Sequence, residues 1–361
     1  MSPALVHGFV APGLEAVGAA FAALEEPGAA LAVVHDGTLV IDLRCGAGWE
    51  PDTLVNVFSA TKPIAALCVL RLVDAGRLEL DQPVSSVWPE YAIAGKERTT
   101  VRHVLAHGAG LLALSEPATL ADYLDWERCT ARLAAEPPQW EPGTRHGEHA
   151  LFYGHLTGEL VRRVDGRSLG TYLREELCEP LGLDMHIGLR AGELGRVLDV
   201  LDPGGAWRAS MLDGADERKR RALENPPAAL EVDVLNSLAW RRAEVPGVNG
   251  HATARSLAHL YGALATGGEL DGVRILGRDL LAEAVAVQAE GHDELLGYDV
   301  RWGLGMMLDG DTFGMGGIGG TVAWGDETRR LGFAFVPRRL GGFERATAIE
   351  EALLAALADV A

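Results

Sequence analysis

The chain has 361 residues, and its 32 basic and 51 acidic side chains give a formal net charge of −19 at pH 7. Nucleic-acid-binding proteins carry extended basic patches, and the longest basic run here is the short segment Arg218–Arg221, so we expect no nucleic-acid partner. The length is sufficient for one large domain or two intertwined domains whose core needs no disulfide.

The first sixty residues predict a helix followed by a pair of strands. Residues 12–25 have the apolar spacing of an amphipathic helix. Two apolar runs with many β-branched residues follow at Ala29–His35 and Thr38–Leu43, and the turn pair Asp36-Gly37 separates them. A helix and a β-hairpin therefore open the chain.

The middle of the chain is mostly helical in pattern and is interrupted by loops rich in Pro and Gly. Its charged stretch, Asp213–Arg221, is interpreted as a solvated loop or helix face rather than a binding patch. We therefore predict an inserted, mainly α-helical domain over residues 61–289.

The C-terminal part again predicts strands followed by a helix. The strand-like runs are Trp302–Leu308, Thr321–Trp324 and Leu331–Val336, and an apolar-periodic helix follows at Phe343–Leu357. Since both chain ends supply strands and one helix, we expect an α/β fold in which one antiparallel sheet is built from residues 1–60 and 290–361 and flanked by helices.

The sequence also bears on the compartment. The segment Met1–Val17 has neither the basic nor the apolar part of a signal peptide, and the chain contains no apolar run long enough to span a membrane. Its cysteines, Cys45, Cys68, Cys129 and Cys178, are scattered and form no C-x-x-C motif. We therefore predict a cytoplasmic protein with buried free thiols and no membrane partner.

One short motif carries chemistry. The chain has nine serines and three lysines, and it contains one Ser-x-x-Lys sequence, Ser59–Lys62. A strand-like segment precedes it, and a nearly all-apolar helix follows, so the helix is expected to be buried. The spacing places both side chains on one helical face, with Ser59 at the positive end of the helix dipole.

Two interpretations of this motif are possible. Ser59 is a nucleophile with Lys62 as its base, provided that burial lowers the pKa of the lysine. Alternatively, Ser59 is a helix cap and Lys62 extends its ammonium group to solvent. The apolar surroundings favour the nucleophile.

The chain resembles the serine β-lactamase and penicillin-binding-protein superfamily, and within it the class C and carboxylesterase branch. The resemblance runs through most of the chain and is carried by Val57–Lys62, Gly76–Val84, Thr100–Leu111, Trp140–Thr144, Gly158–Leu160, Asp165–Leu169, Glu179–Leu183 and Asn249–Arg255. It implies a β-lactamase-like fold, no cofactor, a small-molecule substrate and an acyl-enzyme on Ser59 with Lys62 beside it.

Two positions depart from the pattern of that superfamily. Glu148 stands in Gly147-Glu148-His149-Ala150, where the resemblance implies a catalytic tyrosine. Met315 stands in Gly314-Met315-Gly316-Gly317, where it implies a polar or aromatic residue. Without a Lys-Thr-Gly sequence, we do not expect recognition of a β-lactam carboxylate.

Glu148 changes the expected acid–base chemistry. A carboxylate beside Lys62 should raise the pKa of the lysine, which is opposite to what a lysine base requires. Glu148 would then take the proton of Ser59 itself, with Lys62 as electrostatic support. Tyr153 would take the place of the catalytic tyrosine only if the register of the resemblance were shifted here.

The glycine run fits acyl transfer. Gly316 and Gly317 would let a strand approach the substrate, and the N–H groups of Ile318 and Ser59 would form an oxyanion hole, with Met315 and His149 beside them. The alternative is a glycine bulge in a strand.

Several other patterns have structural explanations. The pairs His103/His107 and His146/His149 have helical spacings that suit a metal, but we predict no metal site. Gly166-Arg167-Ser168-Leu169-Gly170 matches G-x-S-x-G without the strand that a nucleophile elbow needs, so Ser168 is predicted to cap a helix. Trp126, Trp140 and Trp240 either line the cleft or pack in the core.

The sequence therefore predicts an esterase-type serine hydrolase that acts on a small ester, lactone or activated acyl group through Ser59, Lys62 and Glu148. Two alternatives remain open at this point. One is an acyltransferase, lyase or isomerase of secondary metabolism that uses Glu148 and Lys62 on the same fold, and the other is an inactive binding protein. The sequence leaves the oligomeric state open.

Overall fold

The computed structural model describes residues 5–358. Residues 1–4 and 359–361, at the two ends of the predicted sheet domain, lie outside the described part. The strands are β1 Val6–Val10, β2 Gly28–His35, β3 Thr38–Gly46, β4 Val55–Asn56, β5 Met185–His186, β6 His251–Ala252, β7 Glu269–Leu270, β8 Val273–Arg274, β9 Ala289–His292, β10 Asp299–Trp302, β11 Met307–Asp309, β12 Thr312–Gly316, β13 Val322–Asp326 and β14 Leu331–Pro337.

The helices are α1 Glu15–Ala23, α2 Thr61–Asp74, α3 Val101–Leu105, α4 Leu120–Leu124, α5 Trp126–Ala135, α6 Tyr153–Asp165, α7 Leu169–Leu173, α8 Glu179–Leu181, α9 Trp207–Leu212, α10 Glu217–Glu224, α11 Val232–Leu235, α12 Leu238–Arg242, α13 Ala254–Ala265, α14 Arg278–Ala284 and α15 Glu344–Ala358. A π-helical segment at Arg174–Cys178 joins α7 to α8. Short 3₁₀ turns occur elsewhere, and one at Phe58–Ala60 directly precedes α2.

Nine strands form one antiparallel sheet in the order β1-β3-β2-β14-β13-β12-β11-β10-β9. The two chain ends meet where β14 pairs with β2, with Phe333 opposite Val33. The prediction of an α/β fold with a single antiparallel sheet built from both chain ends is therefore confirmed.

Side-chain alternation along the central strands gives the sheet two covered faces. Leu31 and Val33 of β2 point into a core shared with α1 and α15. Ala32 and Val34 of the same strand point into the larger core on the opposite face. There α13 packs closely, because a Cβ on Gly332 of β14 would lie only 2.2 Å from the backbone nitrogen of Gly262.

The structure differs from the sequence prediction in several strands, including three of the large sheet. The predicted run Trp302–Leu308 is two strands, β10 and β11, because the chain turns between them through Gly305 at φ +85°. The edge strands β1 and β9 were not predicted, since both are short and contain a glycine with positive φ. Such segments have weak strand propensity and pair on one side only.

The division into a sheet domain and a helical domain over residues 61–289 stays a prediction. Most helices do lie in that segment, but α13 belongs to it by position and packs on the sheet. The larger of the two cores thus contains residues of the sheet together with residues of the helices in 61–289.

Helix α2 runs through the main core. Its residues from Thr61 to Leu70 are all buried, which agrees with the nearly all-apolar sequence. The four cysteines are buried and free, as predicted. Within residues 5–358, no helix has the length and apolar character needed to cross a lipid bilayer.

Candidate active site

Ser59 lies on the 3₁₀ turn between β4 and α2, and only 4% of its surface is exposed. The preceding residue, Phe58, has a φ of +51°, a left-handed conformation that is uncommon for a bulky side chain. Its ring is held against Trp207, with ring centroids 5.7 Å apart. This strained turn places the Ser59 hydroxyl at the positive end of a buried helix.

Lys62 follows one helical turn later and is completely buried. Its Nζ lies 2.7 Å from Ser59 Oγ, 3.1 Å from the carbonyl oxygen of Gly247 and 3.0 Å from Glu148 Oε1. An ammonium group has three N–H donors, so these three acceptors satisfy it fully. The structure therefore brings the serine, the lysine and the carboxylate into one cluster.

Glu148 reaches Lys62 but not Ser59. It is 8% exposed and forms the ion pair with Lys62, while no hydrogen bond joins these described carboxylate and serine side chains. The charge of Glu148 raises the pKa of Lys62, as expected from the sequence, but burial has the larger effect and the pKa is lowered overall. Lys62 thus gives up a proton more readily than an exposed lysine.

Tyr153 is not part of this cluster. Its phenol is buried at the start of α6 and donates a hydrogen bond to the carbonyl oxygen of Leu105 at 3.2 Å. Burial raises the pKa of Tyr153. The alternative of a shifted register, with Tyr153 in the place of Glu148, is therefore wrong.

The glycine run passes close to the serine turn. A Cβ on Gly317 would lie 2.4 Å from the carbonyl oxygen of Val57 and 3.3 Å from the backbone nitrogen of Ser59. The Gly317 N–H donates to the carbonyl oxygen of Thr321 at 2.7 Å. The Ile318 N–H, on the residue directly after Gly317, donates to no residue within the described 5–358.

The loop that carries Ile318 is held from behind. The Ile318 carbonyl oxygen accepts a hydrogen bond from Trp207 Nε1 at 2.9 Å. At the next residue, the Gly319 carbonyl oxygen accepts from Arg345 Nη2 at 3.3 Å. Arg345 is itself paired with the fully buried Glu26, at 3.1 Å.

Met315 and Gly316 contribute apolar surface rather than polar groups. Met315 is 6% exposed and packs with Val300 and Trp302. A Cβ on Gly316 would lie 2.7 Å from the ring of Phe343. The position where the superfamily resemblance implies a polar or aromatic residue is thus filled by a packed thioether.

His149 forms a buried pair with His107, with 3.1 Å between the two Nδ1 atoms. Its Nε2 accepts the Leu111 N–H at 3.2 Å, so the remaining proton is on Nδ1 and points at His107. Burial lowers the pKa of His149 to about 3 and that of His107 well below its usual range, and the charge of Lys62 adds to both shifts. His149 is therefore a neutral ring that holds the backbone at Leu111.

The other histidines of the two predicted pairs also make hydrogen bonds to the backbone. His103 accepts the Thr100 N–H in a capping box, and His146 contacts the carbonyl oxygen of Gly291. Within residues 5–358, no three His, Cys, Asp or Glu side chains are arranged to hold a metal ion.

Ser168 caps α7, as predicted, by accepting the Thr171 N–H. The tryptophans differ from one another. Trp240 is fully buried and donates to Asn56, Trp126 donates to Glu159, and Trp140 packs next to Gly147. Trp140 is thus the one of the three that borders the loop of Glu148.

Two groups in and around the cluster were not found from the sequence. Gly247 contributes only its carbonyl oxygen, and a backbone acceptor leaves no residue-type signal. Asp293 accepts the backbone N–H of Glu148 at 3.1 Å across a separation of 145 residues. No spacing rule connects residues so far apart.

Comparison with known proteins agrees with this architecture. A protein-family model described as "Beta-lactamase" matches residues 17–357. The "Esterase/beta-lactamase LipL" of Mycobacterium tuberculosis is 36% identical over 334 residues, which cover 87% of this chain and 77% of that protein.

Solved structures are similar over nearly the whole chain. A family VIII carboxylesterase superimposes with a TM-score of 0.90 at 36% identity, covering 98% of this chain and 100% of that one. A penicillin-binding protein homologue from Caulobacter crescentus gives a TM-score of 0.88 at 38% identity, with the same coverage. The chain therefore belongs to the β-lactamase family, and within it to the β-lactamase-like serine hydrolases of the esterase type.

Proposed function

We propose that this enzyme hydrolyses small carboxylic esters through an acyl-enzyme on Ser59, with Lys62 and Glu148 as a shared proton carrier. The observation that carries the proposal is the contact of Lys62 Nζ with both Ser59 Oγ, at 2.7 Å, and Glu148 Oε1, at 3.0 Å. A nucleophile needs a base within hydrogen-bond distance, and this base in turn has a partner that can take its proton.

Acylation proceeds by two coupled proton transfers. Lys62 passes one ammonium proton to Glu148 and accepts the hydroxyl proton of Ser59 as Ser59 Oγ bonds to the ester carbonyl carbon. The carbonyl electron pair moves to oxygen. When the bond to the leaving alcohol breaks, the alkoxide takes a proton from Lys62, which recovers its own from Glu148. Burial of Lys62 favours this route because it lowers the pKa of the amine.

Deacylation repeats these transfers with water. Water attacks the acyl carbon and gives a proton to Lys62, and Ser59 Oγ leaves as it takes a proton back. The expectation that Glu148 takes the proton of Ser59 directly is replaced by a transfer through Lys62, since within residues 5–358 the carboxylate pairs with the lysine and makes no hydrogen bond to the serine.

The negative oxygen of the intermediate is placed on backbone N–H groups. We assign this role to Ile318 and Ser59, because the Ile318 N–H has no partner among the described residues and Gly317, which follows β12, lies against the serine turn. A preorganised donor of this kind contributes roughly 10²- to 10³-fold in kcat. Gly317 itself is excluded as a donor by its bond to Thr321.

The pocket suits a neutral substrate. Met315 is packed against Trp302 and offers no charge to a substrate carboxylate. We therefore propose small neutral esters or lactones rather than β-lactams. The non-hydrolytic alternative, in which Glu148 and Lys62 act without Ser59, is not favoured because it gives the Ser59–Lys62 hydrogen bond no role.

The experiment is labelling with a fluorophosphonate together with hydrolysis of short p-nitrophenyl esters. We expect one phosphonyl adduct, located on Ser59 by mass spectrometry, and loss of both adduct and hydrolysis in Ser59→Ala. Ser115→Ala, which changes an exposed serine, should behave as wild type. Hydrolysis that persists unchanged in Ser59→Ala would refute the proposal.

A further inference from the structure

The loop that carries Glu148 is held by three consecutive backbone N–H groups. The Gly147 N–H donates to the carbonyl oxygen of His107 at 3.1 Å. The Glu148 N–H donates to Asp293 Oδ1 at 3.1 Å, and the His149 N–H donates to His107 Nδ1 at 3.2 Å. The loop is therefore bonded to two separate parts of the chain, at His107 and at Asp293.

Asp293 is a fully buried carboxylate between β9 and β10. Its Oδ1 also accepts the N–H groups of Leu295 and Leu296, both at 2.9 Å, and its Oδ2 accepts Trp302 Nε1 at 3.0 Å. It forms no ion pair with any cation in residues 5–358. Four N–H donors are what stabilise this buried charge.

The bonds to Leu295 and Leu296 close a local turn, which an aspartate commonly does. The bond to Glu148 has no such local purpose, because it joins a distant part of the chain. It lies directly behind the side chain that reaches Lys62.

We propose that Asp293 is a positioning residue that fixes the backbone of Glu148 so that its carboxylate meets Lys62. This inference rests on the proposed function, in which Glu148 takes a proton from Lys62. Asp293 does not touch the reacting atoms and acts only through Glu148.

Neighbouring contacts make the β9–β10 hairpin and the loop one unit. The Glu294 N–H donates to the carbonyl oxygen of His146 at 3.0 Å, and His146 Nε2 lies 3.2 Å from the carbonyl oxygen of Gly291. Outside them, Glu294 pairs with Arg145 at 3.2 Å. These contacts fix the hairpin, and with it Asp293, relative to the loop of Glu148.

A small displacement would matter at this site. A shift of about 1 Å in a catalytic group costs up to roughly 10²-fold in rate. The 3.0 Å contact between Glu148 and Lys62 is made by the end of a flexible side chain, so its geometry depends on where the backbone is anchored. Removing the anchor should therefore lower kcat and leave substrate binding nearly unchanged.

The test compares two variants that share the change Trp302→Phe. This change removes the indole N–H, because this donor would otherwise face the N–H₂ donor of an asparagine side chain at position 293. Asp293→Asn/Trp302→Phe keeps an oxygen acceptor for the Glu148 N–H, and we expect its kcat for p-nitrophenyl butyrate within about threefold of Trp302→Phe. Asp293→Ala/Trp302→Phe has no acceptor, and we expect kcat about 10- to 100-fold lower with KM changed less than threefold.

A second comparison separates positioning from a general loss of structure. Glu148→Gln alone should lower kcat by about 10²-fold or more. When Glu148→Gln is added to both double variants, the one with Asp293→Ala and the one with Asp293→Asn should differ in kcat by less than twofold, since there is no carboxylate left to position. As a control, Asp326→Ala removes an equally buried aspartate at the far end of β13 and should lower the Tm without changing kcat.

The outcomes are distinct. Two results would overturn the role of Asp293. One is equal kcat in Asp293→Asn/Trp302→Phe and Asp293→Ala/Trp302→Phe, and the other is a difference in kcat between them that remains undiminished after Glu148→Gln is added. Wild-type kcat in Glu148→Gln would instead refute the proposed proton route, whatever the result at Asp293.

Discussion

Lys62 is a buried cation with a complete set of acceptors, and this decides which proton transfers are available to Ser59. Two of the acceptors are neutral oxygens and the third is the carboxylate of Glu148. Burial alone would favour a neutral amine, whereas the carboxylate favours the ammonium form. The two opposing effects leave the lysine able to give and take a proton, which a base in a two-step hydrolysis must do.

The residues in and around this cluster differ in how well the sequence predicts them. Ser59 and Lys62 follow from a motif, and Glu148 from its place in a run of matching residues. Asp293 and the carbonyl oxygen of Gly247 follow from neither, because they meet the cluster through long-range folding and through the backbone. Residue-type patterns identify side-chain chemistry but not the groups that position it.

Gly317 gives the most direct prediction at this scale. A methyl group there would lie 2.4 Å from the Val57 carbonyl oxygen, a backbone atom that cannot move aside without moving the Ser59 turn. We expect Gly317→Ala to lower kcat for p-nitrophenyl esters by about 10²-fold, comparable to loss of an oxyanion donor. Gly192→Ala, where a Cβ meets nothing within 4 Å, should leave kcat unchanged. Wild-type kcat in Gly317→Ala would show that the strand does not press against the serine turn.

The loop after β12 is held by a residue of helix α15. Arg345, at the start of α15, donates to the carbonyl oxygens of Gly319 and Arg339 and pairs with Glu26. Glu26 also pairs with Arg339. Breaking a buried ion pair is strongly destabilising because the remaining charge is left in a poorly solvated place.

We therefore expect Arg345→Met to lower the free energy of unfolding by about 3 kcal/mol. It should also lower kcat, because the loop that bears Ile318 loses a donor. Urea unfolding and p-nitrophenyl ester kinetics measure the two effects. The control is Arg330→Met, whose pair with Asp36 is exposed and is expected to contribute less than about 1 kcal/mol. Equal stability of the two variants would contradict the role given to the buried network.

Elements with strong patterns were predictable, and those set by one-sided pairing were not. The central strands β2 and β14 are apolar on both faces and were found from sequence. Among the described strands, the edge strand β1 pairs only with β3, and most of its five residues are exposed, so its sequence lacks the apolar pattern of a central strand. The turn between β10 and β11 was missed because Gly303 and Gly305 stand inside an otherwise apolar run.

At the scale of the whole molecule, the sheet closes the chain on itself. That both chain ends contribute to one sheet could be predicted, since each supplies strand patterns, and the structure joins them where β2 pairs with β14. The packing of α13 on that sheet could not, because small residues such as Gly262 and Gly332 mark close approach only once their partners are known. The core that results encloses several histidines.

These histidines stay neutral in the fold. Burial lowers the pKa of His155 to about 4 and that of His251 to about 3, in addition to the shifts of His107 and His149. In the unfolded chain each would titrate near 6.5. Between about pH 6.5 and 4 the unfolded state therefore binds protons that the folded state does not.

The sign of the resulting pH dependence follows from linkage, by which stability rises with pH wherever the unfolded state binds more protons. We expect the free energy of unfolding, and with it the Tm, to be level above about pH 6.5 and to fall as the pH drops toward 4. The free energy should fall by up to about 1.4 kcal/mol per pH unit for each buried histidine. Carboxylates such as Asp184, whose pKa is lowered to about 2, add to this only nearer pH 4.

Calorimetry from pH 8 to 4.5 measures the profile. His155→Gln should reduce the slope and His7→Gln, at an exposed site, should not. A Tm that stays level down to pH 5 would mean that the folded protein takes up protons at these rings as easily as the unfolded chain does.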